Sequence, residues 1–362
     1  PARTVAGPMR TWLERGLGTR PLLSVTGFSA AYCAAALLGQ ALASDRDPFA
    51  TVWPPAGLYL AALLLTPWNR WPLILLGAAI GNLAFDVGFN QRPLVLAISY
   101  WLTNTLGAIS AAGLIGFVLR DRFRLDDLRS MLALALGGVV LLPLVTATVG
   151  TYALQSATGA PLVDHWRTWL MADALGVLLV APLMLSTRPA PRPGTLYGVS
   201  LEGLLWLVLM AAGCWLVFGG AGSGLLLRPY MLLPLLLWAA IRFGVFGAAV
   251  SVSLLALLSI ALTVRGYGPF GIGSDPTLRI AVLQPQLTIF GLTTLLVAVL
   301  FRQQQQALRD LREANARLEQ RVAERTEALA LSEGQARRQL DELEFIYANA
   351  PVGLGVLDRD LR

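Results

Sequence analysis

The stretch VLQPQLTIFGLTTLLVAVLF, residues 282–301, runs directly into RQQQQALRDL, residues 302–311, with no Gly or Pro at the junction. A helix needs roughly 20 apolar residues to cross the hydrocarbon core of a bilayer, and the first stretch supplies them. In the second stretch, Leu recurs among charged and amide side chains, as on a helix in water. We therefore expect one helix that crosses a membrane and continues into the water beyond it.

The 362-residue chain is 56% hydrophobic and 14% charged, whereas soluble domains carry about 25% charged residues. Charged residues are sparse in residues 21–301 and dense from Arg302 onward. This asymmetry predicts a transmembrane domain, residues 21–301, followed by a water-soluble extension. Residues 1–20 are basic and contain Gly and Pro, and we interpret them as a cytoplasmic tail without a cleavable signal peptide.

Apolar stretches long enough to be candidate spans recur along the chain. We count ten, at residues 21–43, 53–66, 71–88, 94–119, 128–152, 166–186, 201–219, 226–241, 245–264 and 282–301. The second and the eighth are short and contain Pro, so they fit half-spans or broken helices, which would leave eight full crossings. The expected fold is an all-α polytopic membrane protein with about ten transmembrane helices.

Arginine placement predicts the orientation. The net charge is +6 and the sequence contains no Lys. If the N-terminus is cytoplasmic, most Arg residues outside the N-terminal tail and the water-soluble extension fall in cytoplasmic loops: Arg70, Arg120, Arg122, Arg124, Arg129, Arg188, Arg192 and Arg242. The positive-inside rule then predicts cytoplasmic N- and C-termini and an even number of crossings. Because these Arg residues flank apolar spans, we expect no nucleic-acid binding.

Residues 302–347 carry a heptad pattern, with seam positions Leu308, Leu311, Asn315, Leu318, Val322, Arg325 and Leu329. Aliphatic residues at most of these positions predict a coiled coil of modest strength. A buried pair of Asn315 side chains lowers stability but selects a parallel, in-register dimer. The alternative is a single solvated helix. The repeat weakens at Ser332-Glu333-Gly334 and resumes in a shifted phase, which is a plausible place for two helical states to interconvert.

The end of the chain changes character at Ala350-Pro351, which breaks the helix. The sequence VGLGVL, residues 352–357, is typical of a short strand, and Asp358-Arg359-Asp360 follows as a polar turn. Such a strand cannot fold alone. We interpret residues 348–362 as the beginning of another domain.

Several motifs together resemble a known family. They are Trp53-Pro54-Pro55-Ala56-Gly57, Gly81-Asn82, Asn104-Thr105-Leu106, Trp169-Leu170-Met171-Ala172-Asp173-Ala174-Leu175-Gly176, Ala181-Pro182, Arg242-Phe243-Gly244 and Gly268-Pro269-Phe270. In this order they resemble the bacterial membrane-associated sensor domain of the first MASE type. The resemblance implies a multi-pass sensory domain in the bacterial inner membrane.

Two further resemblances follow. Residues 318–326, LEQRVAERT, look like the signalling helix ahead of bacterial sensor outputs, and residues 345–361 look like the entry helix and first strand of a PAS domain. In relatives this order leads to a histidine kinase or to enzymes of cyclic-di-GMP synthesis or breakdown. The chain contains neither kinase ATP-binding boxes nor a cyclase loop, and its only His, His165, lies in an outer loop.

Two carboxylates, Asp86 and Asp173, lie within apolar spans, where a charge costs roughly 2.5–3.5 kcal/mol on insertion scales. Asn82 lies one helical turn from Asp86 on the same face, and Asn104 lies mid-depth in the fourth span. Further candidate ligand contacts, all in the periplasmic half, are Trp53, Trp101, Trp169, Gln284 and Gln286. Their shared depth predicts a polar cavity that opens outward and binds a small molecule or a lipid headgroup.

Each of these residues also has a structural interpretation. The Asp173 carboxyl group fits a hydrogen bond to a neighbouring helix, and Asp86 fits a half-hydrated position at the end of a span. The Asn residues fit interhelical hydrogen bonds, and the Trp residues fit the aromatic belt. Cys33 and Cys214 lie in apolar runs and indicate packing, and the isolated His165 predicts neither a metal nor a haem site. We expect no cofactor and no catalytic site.

The expected function is a sensory input module that passes a signal through a dimeric coiled coil to a cytoplasmic output. The resemblance favours a sensor histidine kinase, with a response regulator as its partner, over a diguanylate cyclase or phosphodiesterase. Two functions of other classes stay open. They are a transporter-like binder, suggested by broken, Pro-containing spans, and a scaffold that senses through a partner membrane protein.

Overall fold

The computed structural model describes residues 21–43, 50–120, 123, 125, 127–159, 162–186, 201–219, 228–270 and 276–349. Regular structure in these ranges is entirely helical and includes no strand. The α-helices are α1 (Pro21–Ala41), α2 (Pro54–Leu65), α3 (Trp71–Leu83), α4 (Leu94–Leu119), α5 (Leu128–Ala133), α6 (Leu142–Thr158), α7 (Leu162–Leu185), α8 (Leu201–Phe218), α9 (Leu233–Val264) and α10 (Pro276–Asn349).

Two π-helical segments interrupt the regular α-helical pattern. Ala84–Phe89 extends α3, and Leu134–Leu141 joins α5 to α6 into one long helix. Local sequence explains several ends: the Asp127 carboxylate accepts a hydrogen bond from the Ser130 N–H at the start of α5, at 2.7 Å. Pro54 and Pro55 occupy the first turn of α2, where a missing N–H is tolerated.

Within the described residues, seven helical segments are long and apolar enough to cross a membrane. They are Trp68–Phe89, Leu94–Leu119, Leu128–Thr158, His165–Leu185, Leu201–Phe218, Pro229–Val264 and Arg279–Asn349. The multi-pass helical architecture is confirmed. The seven segments are three fewer than the ten predicted spans. Two of the predicted spans are missing because α2 is shorter than a span and α1 is not among the seven. The third difference arises because α9 covers two predicted spans.

The long helix α9 is divided at Gly244, whose backbone angles are φ 66° and ψ −158°. Only glycine adopts this conformation readily, because a Cβ would clash with the backbone. The two spans that were predicted on either side of residues 242–244 therefore correspond to the two helical pieces of α9. On the first piece, the Arg242 guanidinium lies 2.5 Å from the Glu202 carboxylate of α8.

Many large apolar side chains are exposed on the surface of this bundle. Side chains such as Leu102, Leu136, Leu205 and Val208 are about half exposed, and Phe117 is 80% exposed. In water such patches would drive association, whereas lipid tails solvate them. Polar side chains are instead buried inside the bundle, including Asn82, Asp86, Asn104, Asp173 and Gln284. This distribution is that of a protein whose solvent is the bilayer.

The chain forms two compact units, Pro1–Gln303 and Gln304–Arg362. The described part of the second unit is helical throughout, without a break at Gly334. Its predicted seam side chains are exposed in the single chain, from 45% at Leu308 to 69% at Leu329. Neither the dimer nor the coiled coil is tested by this structure, so both stay predictions. The predicted tail, residues 1–20, and the predicted strand, residues 352–357, lie outside the described residues.

Candidate functional site

The short helix α2 lies in the centre of the bundle. Ten of its twelve residues are buried, so no face of it meets lipid. Before it, residues 51–53 form a non-helical segment, which we call the inner strap. The Trp53 N–H donates a 2.9 Å hydrogen bond to the Ala172 carbonyl of α7. Irregular backbone at this depth is tolerated only because protein surrounds it.

The inner strap lies against the middle of α7. Trp53 was predicted at the start of a span, and its partner Ala172 lies ten residues beyond the start of α7 at Leu162. At 1.5 Å per residue this is about 15 Å along the helix axis. The strap can enter the bundle because Gly57 and Gly176 let the backbones of α2, α7 and the strap approach closely.

The inner strap is also bonded to α10. The Gln284 amide donates a 2.8 Å hydrogen bond to the Thr51 carbonyl, and the Gln284 side chain is 2% exposed. A buried amide with a partner is stabilising, whereas a buried carbonyl that loses its donor is costly. The other predicted glutamine, Gln286, is only half-buried. The structure therefore separates two residues that the sequence analysis treated alike.

Three residues predicted to share a site lie in one hydrogen-bonded chain, which we call the polar column: Arg92, Asp86, Asn82, Tyr32 and Asn104. The Asn82 amide donates to the Asp86 carboxylate at 2.7 Å and accepts from the Tyr32 hydroxyl at 3.2 Å. The Asn104 amide donates to the Tyr32 oxygen at 3.3 Å. The column thus joins α1, α3 and α4 through buried polar groups.

Arg92 compensates the charge at one end of the column. Its guanidinium lies 2.7 Å from the Asp86 carboxylate; the Asp86 side chain is 3% exposed and the Arg92 side chain 33%. Asp86 lies in the π-helical segment, a feature frequent at functional sites. The expected half-hydrated position of Asp86 is wrong, because the carboxylate is buried and is satisfied by Arg92 and Asn82.

We expect Arg92→Ala to destabilise the protein more than Asp86→Asn. The first change leaves a buried carboxylate without a cation and should lower the free energy of unfolding by about 2–3 kcal/mol, somewhat less than for a fully buried pair. The second leaves Arg92, which can extend to water, and should cost about 1 kcal/mol. Unfolding of the purified variants in denaturing detergent measures both. Equal losses would contradict this account.

The second predicted carboxylate, Asp173, lies on α7 and is fully buried. The Thr146 hydroxyl of α6 is hydrogen-bonded to its Oδ2 atom. The Trp169 indole, one turn earlier on α7, also interacts with the carboxyl group. The Oδ1 atom has no hydrogen-bond partner among the described residues. An interhelical hydrogen bond, one of the two interpretations of Asp173, is therefore present, but it satisfies only one carboxylate oxygen.

A cavity of about 10 Å³ lies between Asp173 and the polar column. Its lining comes from α1, α2, α4, α6 and α7: Tyr32, Pro55, Ala56, Tyr59, Asn104, Ala108, Leu142, Thr146 and Asp173. This volume is about what one water molecule needs. A metabolite or a lipid headgroup does not fit this cavity unless the helices move, so it is smaller than the ligand site that the sequence analysis predicted.

The three predicted tryptophans take separate positions. Trp53 packs on Phe85, with ring centroids 5.6 Å apart, and Trp169 packs edge-on against Tyr100 at 5.3 Å. The Trp101 indole N–H is buried without a hydrogen-bond partner among the described residues. None of the three lines the cavity. Their proposed role in ligand binding stays a prediction.

Sequence reasoning missed several polar residues of this region. Tyr32 and Tyr59 were not singled out because tyrosines in apolar spans are common, and Thr146 because threonine is unremarkable in a membrane helix. Arg92 was not among the predicted site residues, although its separation of six residues from Asp86 was a usable signal. Within the described residues, no group of three metal-ligating side chains occurs.

These features define a multi-pass helical membrane protein with a polar interior site. A family model, MASE1, matches residues 22–305. The chain therefore belongs to the MASE1 family and contains a membrane sensory input domain. Over 232 residues it is 25% identical to the probable diguanylate cyclase DgcE of Escherichia coli strain K12, a match that covers 61% of this chain and 20% of that protein. No solved structure matches the chain.

Proposed function

We propose that this domain detects a periplasmic or membrane-embedded signal in the bacterial inner membrane and passes it to a cytoplasmic output through α10. Both termini are proposed to be cytoplasmic, because Arg residues concentrate in the loops on that side. The sensing region comprises the polar column and the Asp173 cavity. The buried Asp and Asn side chains of the described residues, Asn82, Asp86, Asn104 and Asp173, all lie in this region.

One observation carries the proposal: the hydrogen bond from Gln284 to Thr51 joins α10 to the inner strap. Pro55 and Ala56, two and three residues after the strap, line the cavity. A change of volume or charge in the cavity therefore acts on the start of α2 and on the strap, and through Thr51 on α10. Packed elements of this kind transmit change when they have two discrete arrangements.

The part of α10 in the second unit is proposed to pair with a second copy. Its predicted seam places Leu311, Leu318 and Val322 on one face, and each is more than half exposed in the single chain. A parallel coiled coil would bury this face and would place Asn315 opposite its copy. Pairing of two identical helices lets a rotation or shift of α10 reach the output in both protomers.

The relative supports one output class over the other. The similarity to a probable diguanylate cyclase supports a cyclic-di-GMP output over the histidine kinase that the sequence analysis preferred. The full-length natural protein in membranes distinguishes them: formation of cyclic-di-GMP from GTP supports the cyclase, and transfer of phosphate from ATP to protein supports the kinase with a response regulator as partner. The absence of both activities and of cyclic-di-GMP hydrolysis would contradict an enzymatic output.

Gln284→Leu is expected to uncouple the output from the membrane domain, with Gln286→Leu as the matched control. The first change leaves the buried Thr51 carbonyl unpaired, which costs about 1–3 kcal/mol and frees the strap from α10. We expect the signal-dependent change in output activity to fall by about fivefold or more, the ratio that 1 kcal/mol represents. The half-buried Gln286 should tolerate the same change. Equal effects of the two changes on the output would show that the inner strap does not transmit the signal.

One observation favours a second candidate, a transporter-like binder. The start of α2 lies at a polar cavity inside the bundle, as in transporters whose broken helices form the binding site. Accumulation of solute in vesicles that contain only the spans would support transport. No comparable observation favours a scaffold for a partner sensor.

A further inference from the structure

We propose that Asp173 is a proton-binding site, held as a neutral carboxylic acid beside a single buried water molecule. The proposal concerns the membrane unit alone and does not depend on the output class or on the sensory role. It goes beyond hydrogen bonding between helices because it assigns a ligand, the proton, and a place where that proton is exchanged.

The first argument is charge. Asp173 is fully buried, and no basic side chain interacts with it among the described residues. An isolated carboxylate in such surroundings is strongly unfavourable, and the usual resolution is to bind a proton or a cation. Asp86 is different because it has Arg92 as an ion-pair partner. Asp86 is therefore compensated by a cationic side chain, whereas Asp173 needs a bound proton or cation.

The second argument is hydrogen bonding. The Thr146 hydroxyl lies within hydrogen-bond distance of two acceptors, the Pro143 carbonyl at 3.1 Å and the Asp173 carboxyl group. A hydroxyl has one proton and can fully satisfy only one of them. If Asp173 is protonated on Oδ2, it donates to Thr146, and Thr146 donates to Pro143. Both contacts then have a donor and an acceptor.

The third argument is the cavity. The Oδ1 atom of Asp173 has no hydrogen-bond partner among the described residues, and the adjacent cavity has the volume of one water. A water there has the Asp173 carboxyl group and the polar side chains of Tyr32, Tyr59 and Asn104 around it. It would donate to Oδ1 and would be the group with which Asp173 exchanges its proton.

The neighbours of Asp173 do not supply a competing charge. The titratable groups that line the cavity with it are Tyr32 on α1 and Tyr59 on α2, both neutral phenols at physiological pH. The side chains from α4 and α6 are Asn104 and Thr146, which do not titrate. α9 contacts α7 through the Ser253 hydroxyl. Proton binding converts one carboxylate and one hydronium ion into one carboxylic acid and one water molecule, and no other covalent bond changes.

Infrared spectroscopy of the purified protein tests the proposal. At neutral pH we expect a carbonyl stretch from one protonated carboxyl group that moves to lower frequency in D₂O and is lost in Asp173→Asn. The control Asp86→Asn should leave this band unchanged, because Asp86 is paired with Arg92 and does not line the cavity. A spectrum without any band that Asp173→Asn removes would overturn the proposal.

A second variant keeps the test decisive if Asp173→Asn does not fold. Thr146→Val preserves the shape of the side chain but removes the acceptor for the Asp173 proton, so the band should persist and move to higher frequency. A folded Thr146→Val protein with an unchanged spectrum contradicts the proposed hydrogen bond. A band that appears only when sodium is replaced by a large organic cation would also overturn it, because the natural occupant would then be a metal ion.

Discussion

Gly176→Ala should prevent the membrane domain from reaching its native fold. A Cβ added at Gly176 would lie 1.9 Å from the Trp53 carbonyl oxygen and 2.5 Å from the carbonyl carbon. These are backbone atoms of the inner strap, so no side-chain rotation relieves the clash. We expect a loss of more than about 3 kcal/mol, at the upper end of what overpacking costs. The amount of monodisperse protein recovered from membranes measures it.

Gly113→Ala is the matched control for this change. Gly113 lies within α4, and a Cβ added there meets no other atom within 4 Å. In a helix interior, alanine is favoured over glycine by about 1 kcal/mol, so this variant should be at least as stable as the unmodified protein. If Gly176→Ala and Gly113→Ala gave the same yield and stability, the close approach of the strap to α7 would be refuted.

Inserting two residues after Arg302 should abolish regulation of the output. In an α-helix, two residues rotate everything that follows by about 200° and advance it by about 3 Å. The seam that begins at Leu308 would then have a nearly opposite helical phase relative to Phe301. If α10 transmits the signal as one helix, the signal-dependent change in cyclic-di-GMP synthesis or in phosphorylation should be lost. Binding within the spans should be retained.

A seven-residue insertion at the same place is the control. One heptad changes the phase by only about 20° and keeps the a and d positions aligned, so regulation should be largely preserved. Regulation that survived both insertions would show that a rigid α10 does not carry the signal. Loss of regulation with both insertions would show that the length of the helix matters, and not only its helical phase.

Several residues of the polar site could be predicted from the sequence, but the contacts between them could not. Asp86 and Asn82 were expected to share a helix face, and they are hydrogen-bonded. Asn104 was placed at a similar depth, and it contacts the same column through Tyr32. These residues stand out because a polar group in an apolar span is unfavourable unless it is satisfied. Their partners Tyr32 and Thr146 do not stand out, because neither is unusual in such a span.

The short helix α2 shows why counting apolar stretches does not give the number of membrane crossings. Its sequence is apolar throughout, as it would be in a lipid-facing helix, and only packing distinguishes the two cases. Pro54 and Pro55 indicated where the helix starts, but the depth of that start follows from the bond between Trp53 and Ala172. The same holds for Gln284 and Gln286, which are equivalent in the sequence and differ only in which face of α10 meets the strap.

The amino-acid sequence alone determined the class of this protein, because the number and length of apolar stretches and the placement of Arg follow directly from the properties of a bilayer. It also determined which polar residues needed partners. Tertiary structure alone decided which residues those partners are: Arg92 for Asp86, Thr146 for Asp173, and Thr51 for Gln284. The physical reason is that lipid solvates every apolar face equally well, so hydropathy does not specify which helices meet, whereas close packing and buried hydrogen bonds do.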